Sequence, residues 1–170
     1  GSVTAPVSSL HFTRELMKRM EIKGIDTAYV TMHIGLGCFR EIDVEDLTKH
    51  KMDSDLISVD SEAVALVNKA KSEGRKICAV GTSVQRVLET ATLIGGMLKE
   101  YDGWTSKFIF PEYNFQVANC MIANFYNPYS TMLMLTAAFG GYELIMDAYN
   151  EALKQDYRFG IYGDAMLIID

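Results

Sequence analysis

Apolar positions along the chain alternate between helical spacing and short continuous runs. Leu16, Met17 and Met20 form one stripe, with Arg14, Glu15, Lys18 and Arg19 on the opposite face. Thr13 is placed to cap that helix and Gly24 to end it. Thr27 to Met32, rich in β-branched and aromatic residues, predicts a strand. Ala63, Leu66, Val67 and Ala70 then recur at i, i+3, i+4 and i+7, with Gly74 closing the helix. Lys76 to Val80 predicts a short buried strand. Gly81-Thr82 turns it directly into a helix with Val84, Val87, Leu88 and Ala91 on its stripe, weakened at Gly95-Gly96. Lys107 to Phe110 and Val117 to Ile122 predict two more strands. Asn127-Pro128 predicts the start of a helix that ends near Gly140-Gly141. Leu144, Ile145, Ala148, Tyr149 and Ala152 mark the last helix, and Ala165 to Ile169 a closing strand. Strands alternating with amphipathic helices predict parallel βαβ units, hence an α/β fold with a sheet or barrel of parallel strands.

Composition narrows the class. A chain of 170 residues, 49% hydrophobic and 22% charged, has the make-up of one globular domain spanning residues 1–170. Its net charge of −6 is the opposite of a polycationic nucleic-acid binder. Cys38, Cys78 and Cys120 are widely spaced, with no C-x-x-C, which fits neither a disulfide framework nor a structural zinc site. They are expected to be buried free thiols in a reducing compartment. The first ten residues lack a basic and an apolar region, and the longest apolar run, Met132 to Phe139, is far short of a membrane span. The expectation is a cytoplasmic protein with no membrane partner.

Candidate chemistry falls at strand-to-helix junctions, where parallel α/β folds gather ligands. His33-Ile34-Gly35-Leu36-Gly37 combines a titratable ring with two glycines that allow close backbone approach; it also fits a simple turn. Gly81-Thr82-Ser83 opens a helix whose free N–H groups suit an anion, although Thr82 or Ser83 also suits plain capping. Arg86 lies in the first turn, where the helix dipole prefers an acid, so it needs an external partner or an acidic neighbour. Read as a helix-surface residue, its loss should weaken ligand binding far more than stability. Asn124 to Thr131 mixes aromatics with Asn, suited to a planar base or to ordinary packing. Asp164, within Tyr162-Gly163-Asp164, suits a site or a turn, and His11 stands alone near the N-terminus.

In this order, these segments resemble the C-terminal half of the S-adenosylmethionine:tRNA ribosyltransferase-isomerase family of queuosine biosynthesis. Pro6, Leu10, His11, Phe12 and Thr13 match its P-T-A-G-L-H-F-T segment, and Thr31 through Phe39 its T-L-H-V-G-x-G-T-F. His50-Lys51-Met52 is similar to part of H-x-M-H, and Val80 through Glu89 to V-G-T-T-S-V-R-T-L-E. Tyr113, Phe115, Asn124, Phe125, Pro128, Ser130 and Thr131 match later motifs, and Tyr157-Arg158-Phe159 with Tyr162 to Ile168 match the ending.

The resemblance implies an α/β barrel, with a small β-barrel inserted into an N-terminal half that this sequence lacks. It implies transfer of the ribosyl group of S-adenosylmethionine to 7-aminomethyl-7-deazaguanine in tRNA, giving epoxyqueuosine, adenine and methionine. S-adenosylmethionine is then the co-substrate, tRNA the partner, and no metal is expected. Implied catalytic candidates are His11, His33 and Asp164. Implied substrate contacts are Gly35, Gly37, Gly81, Thr82, Arg86, Tyr113, Asn124, Tyr126 and Tyr162. The sequence departs from the family at Val7-Ser8-Ser9, Asp53, Glu112, Gln116, Asn119, Tyr126 and Gly160-Ile161, several of which replace ionisable or polar groups. Those changes keep open a relative that binds S-adenosylmethionine or a nucleotide without catalysis, or an interaction domain.

Overall fold

Most helices of the computed structural model, which describes residues 1–169, begin where the sequence supplies a cap. Helix α1 (Arg14–Ile22) starts at Thr13, whose hydroxyl accepts from the Leu16 N–H at 3.1 Å. In α2 (Ser61–Ser72) the Asp60 carboxylate accepts from the Ala63 N–H at 2.8 Å. Helix α3 (Thr82–Thr90) has no side-chain cap. In α4 (Thr131–Gly140) the cap is Ser130, not Asn127, and Pro128 lies in the preceding loop. Tyr129, at φ +61°, breaks the helical path between that proline and the cap. Helix α5 (Tyr142–Lys154) follows α4 across Gly141.

The strands are β1 (Thr31–His33), β2 (Asp55–Val59), β3 (Cys78–Val80), β4 (Tyr101–Thr105), β5 (Cys120–Asn124) and β6 (Ala165–Ile169). They form two three-stranded sheets, ordered β1-β2-β4 and β3-β5-β6. The first is antiparallel throughout, with Ile57 facing Met32 on one side and Gly103 on the other. In the second, β3 and β5 are parallel with Ala79 opposite Met121, whereas β5 and β6 are antiparallel with Met121 opposite Ile168.

The fold is therefore mixed α/β, and the all-parallel expectation is corrected. The reason is topological. One helical crossover returns a chain to run parallel, but α4 and α5 form a helical hairpin whose two reversals deliver β6 antiparallel. The expected strand at Lys107–Phe110 does not form, and the first and fifth strands are displaced toward Thr31–His33 and Cys120–Asn124. Helix α3 stops at Thr90, so Gly95 and Gly96 sit in a turn beyond it.

Helix α3 packs on strands of both sheets. Ile57 and Val59 from the first sheet meet Val87 and Leu88 of α3, Met121 of the second sheet and Ile145 of α5 in one core. The thiols differ from expectation: Cys120 is buried, Cys38 half-buried and Cys78 exposed, because β3 is an edge strand.

The junction of β3 and α3 depends on Gly81, at φ +101° and ψ 148°, a conformation essentially reserved for glycine. An added Cβ would meet Ser83 Oγ at 3.5 Å and Ser8 Cβ at 3.6 Å, ordinary contacts, so the obstacle is conformational. Gly81→Ala is expected to cost about 1–3 kcal/mol of stability, read as a lower urea midpoint with an unchanged m-value.

Candidate functional site

A cavity of about 310 Å³ opens at the carboxyl ends of β1, β3 and β5. Its walls are mainly apolar, with Met32 and Ile34 from β1 and its continuation, Phe39 from the short 3-10 turn Leu36–Phe39, and Phe108 and Ile109 from the loop after β4. Its polar end is the start of α3. Gly81, Thr82, Ser83 and Val84 all line the cavity, and with no side chain capping the helix its first N–H groups have no side-chain acceptor. Ser8, 3% exposed, sits against Gly81 with its hydroxyl unpaired. Across from Thr82 lies Tyr126, its hydroxyl 3.5 Å from the Thr82 hydroxyl. Tyr126 is held by its own N–H, which donates to the Tyr149 hydroxyl at 2.8 Å. Burial pushes that Tyr149 phenol up to about 12, so it stays neutral.

Of the residues singled out in the sequence, the structure brings Gly81, Thr82, Arg86 and Tyr126 together around this cavity. His33 lies between two cavity-lining neighbours, Met32 and Ile34, and strand alternation turns it to the other face. Gly35 and Gly37 lie behind the wall. The Gly35 N–H donates to the Asp55 carboxylate at 2.8 Å, and Gly37 packs so closely on Asp53 that a Cβ there would overlap the carboxylate. Tyr113 is outside the cavity, donating to buried Glu89 at 3.1 Å and accepting from Lys107 Nζ at 3.2 Å. Burial first, then Glu89, pushes its phenol up to about 12.

Asn124 is 0% exposed, and its amide is fully engaged with His11, Gly160 and Gly163. In this geometry it reaches no ligand directly. Tyr162 is exposed and away from the cavity. Asp164 binds Arg158 through a 2.8 Å ion pair and also accepts from the Arg158 N–H at 2.8 Å. These bonds to Arg158 hold its carboxyl below the usual range, which keeps it ionised rather than ready to donate a proton.

Arg86 departs most from its expected setting. It is buried, at 6% exposure, and its Nη1 lies 2.5 Å from an oxygen of equally buried Asp55. Its Nε donates to the Lys107 carbonyl and its Nη2 to the carbonyls of Asp53 and Thr105. The partner required by its place in the first turn is thus internal, and the charge is already neutralised. The sequence analysis did not single out Asp55, Ser8, Phe39 or Phe108 as site residues, although Phe39 closes a matched motif and Ser8 lies in a departure from one. Asp55 carried a readable signal of its own, as an acid opening a strand otherwise made of Leu, Ile, Ser and Val.

The expected balance for Arg86 is accordingly reversed: its loss should strike stability first. Arg86→Met leaves Asp55 buried and unpaired, and is expected to cost about 3–5 kcal/mol in urea unfolding. The double variant with Asp55→Leu is expected to lose less than the sum of the two single variants.

Comparison with known proteins bears on the whole length. A family described as "Queuosine biosynthesis protein" matches residues 1–168. A protein of Phocaeicola vulgatus named S-adenosylmethionine:tRNA ribosyltransferase-isomerase is 68% identical over 170 residues, covering 100% of this chain and 48% of its own. A protein of the same name from Clostridioides difficile is 46% identical over 168 residues, covering 99% and 49%. The crystal structure of S-adenosylmethionine tRNA ribosyltransferase from Thermotoga maritima superposes with a TM-score of 0.79 at 38% identity, covering 95% of this chain and 51% of that one. The chain spans about half the length of the relatives it matches. On the match over residues 1–168, it belongs to the queuosine biosynthesis protein family.

Proposed function

We propose that this chain supplies part of the substrate site of an S-adenosylmethionine:tRNA ribosyltransferase-isomerase. Such an enzyme moves the ribosyl group of S-adenosylmethionine onto 7-aminomethyl-7-deazaguanine in tRNA, releasing adenine and methionine. The supporting observation is the cavity itself, which joins an apolar, aromatic chamber to the uncapped start of α3. Phe39 and Phe108 supply aromatic walls against which a planar base could pack. The first N–H groups of α3, with Thr82 and Ser83, offer neutral donors to a carboxylate. A cavity of this size suits a nucleoside-sized ligand.

In this reading the proton-transfer group is His11. It ends the turn Val7–His11, whose Val7 and Ser8 line the cavity. Gly81, Thr82 and Tyr126 are direct contacts, while Arg86, Gly35 and Gly37 shape the wall. Tyr113, Asp164 and Tyr162 support or flank it, and His33 is assigned no contact. The Cys38 thiol in the wall is pushed up by burial, then by Asp55, and stays protonated. We also read residues 1–170 as one α/β domain, the two sheets as arcs of a barrel completed by the rest of the longer relatives, and the compartment as the cytoplasm. Among the described residues no helix is long and apolar enough to cross a membrane.

Titration calorimetry with S-adenosylmethionine tests this, followed by an assay for adenine release on adding tRNA that bears the 7-deazaguanine base. Saturable binding is expected, weakened roughly tenfold by Phe108→Ala through loss of the aromatic wall. Binding without adenine release would favour the non-catalytic relative, and absence of both would favour an interaction domain.

A further inference from the structure

The contact between His11 and Asn124 contains more than an orientation. Asn124 is fully buried on β5, and its side chain has three neighbours. Its Nδ2 lies 3.3 Å from the Gly160 carbonyl and 3.3 Å from the Gly163 carbonyl, both of which can only accept. The amide is therefore fixed: turned over, it would set its own oxygen against two carbonyl oxygens in a site closed to water. Its Oδ1 then faces His11 Nε2 at 3.2 Å, and an amide oxygen can only accept.

We propose that Asn124 is a positioning residue that locks the neutral His11 ring with its proton on Nε2, leaving Nδ1 as the accepting atom. The reverse tautomer would oppose two lone pairs at 3.2 Å. Nδ1 has no hydrogen-bond partner among the described residues, and His11 is exposed. The lock also survives protonation, since imidazolium keeps its Nε2–H. A proton leaving a ligand N–H or C–H forms the Nδ1–H bond, the electron pair stays on the ligand atom, and the bond to Asn124 is undisturbed. The ring acts on the Asp164 carboxylate, whose ionisation His11 favours, and Arg158 is paired with that carboxylate. The assignment of His11 as the proton acceptor rests on the proposed function; the tautomer lock does not.

The test reads the tautomer directly. Long-range proton–nitrogen correlation spectra of the 15N-labelled chain, recorded about two units above the ordinary imidazole pKa, resolve both ring nitrogens of each of the three histidines. His33→Gln and His50→Gln identify the His11 signals by elimination. The expected result is a single form, with Nε2 protonated and Nδ1 bare. A Nδ1-protonated form, or the averaged signals of a freely exchanging ring, overturns the proposal.

Asn124→Ser should convert the fixed form to an averaged one. It should also lower kcat for adenine release roughly 10–100-fold, with KM for S-adenosylmethionine within about twofold, as expected for loss of an orienting partner. A tautomer that stays fixed in the variant overturns the role of Asn124. If Asn124→Ser does not fold, the unmutated spectrum alone decides. A chain that never releases adenine counts against the proposed function and leaves that spectrum to decide the lock.

Discussion

The buried pair of Arg86 and Asp55 is the constraint on which the arrangement of the cavity depends. Two charges removed from water are costly, and their attraction offsets that cost only when the remaining hydrogen-bonding capacity is also filled. Here it is filled. Arg86 reaches the carbonyls of Asp53, Thr105 and Lys107, while the second oxygen of Asp55 holds the Gly35 N–H. The pair thereby joins α3, with its uncapped start, to one end of the first sheet, where β2 begins and β4 ends, and to the glycine loop after β1. Phe108 follows a residue whose carbonyl is pinned by Arg86.

Glu89, one turn further along α3, repeats the device. Its carboxylate is buried and accepts from the N–H groups of Gln116 and Val117 and from Tyr113, which in turn accepts from Lys107. A loop without regular secondary structure, 106–119, is thus anchored to α3 twice by charged groups. Buried polar groups hold irregular backbone well because loops carry carbonyls and amides that no sheet ladder satisfies. Lys107 to Phe110 resembles a strand in sequence and is not one: at its first residue the carbonyl accepts from Arg86 of α3 and the N–H donates to the Thr105 hydroxyl, so side chains rather than a neighbouring strand hold it.

The same helix shows why the fold was more legible than the site. The caps Thr13 and Asp60, the ends of α1 and α2 at Gly24 and Gly74, and the turn at Gly81 all follow from local stereochemistry, which a sequence carries openly. Helix α3 has an apolar stripe as well, but it is enclosed on several sides, with Gln85, Arg86 and Glu89 as buried as Val87 and Leu88. The rule that polar residues face water therefore misplaced Arg86. Strands β2 and β4 were missed for related reasons. One begins with the buried acid Asp55, and the other contains Gly103 and an exposed Trp104, so neither has a clean apolar alternation. The resemblance to a family recovered positions such as Asn124 and His11, yet not that they act on each other across 113 residues.

The acidic balance of the chain takes on a definite meaning at the cavity. Three cationic side chains border it, and each is already occupied: Arg86 by Asp55, Arg40 by Asp53 at 3.1 Å, and Lys107 by the hydroxyl and ring of Tyr113. The positive potential left is that of Lys107 at the border, whose Tyr113 partner is neutral, together with the partial charge of the α3 amides. Such a site suits a zwitterion or a single carboxylate, whose charge a helix start can balance. A polyanionic backbone needs several full cations to replace its counterions. If tRNA is the acceptor, its phosphates must meet their cations outside this cavity, and the chamber is left to the base and the small co-substrate.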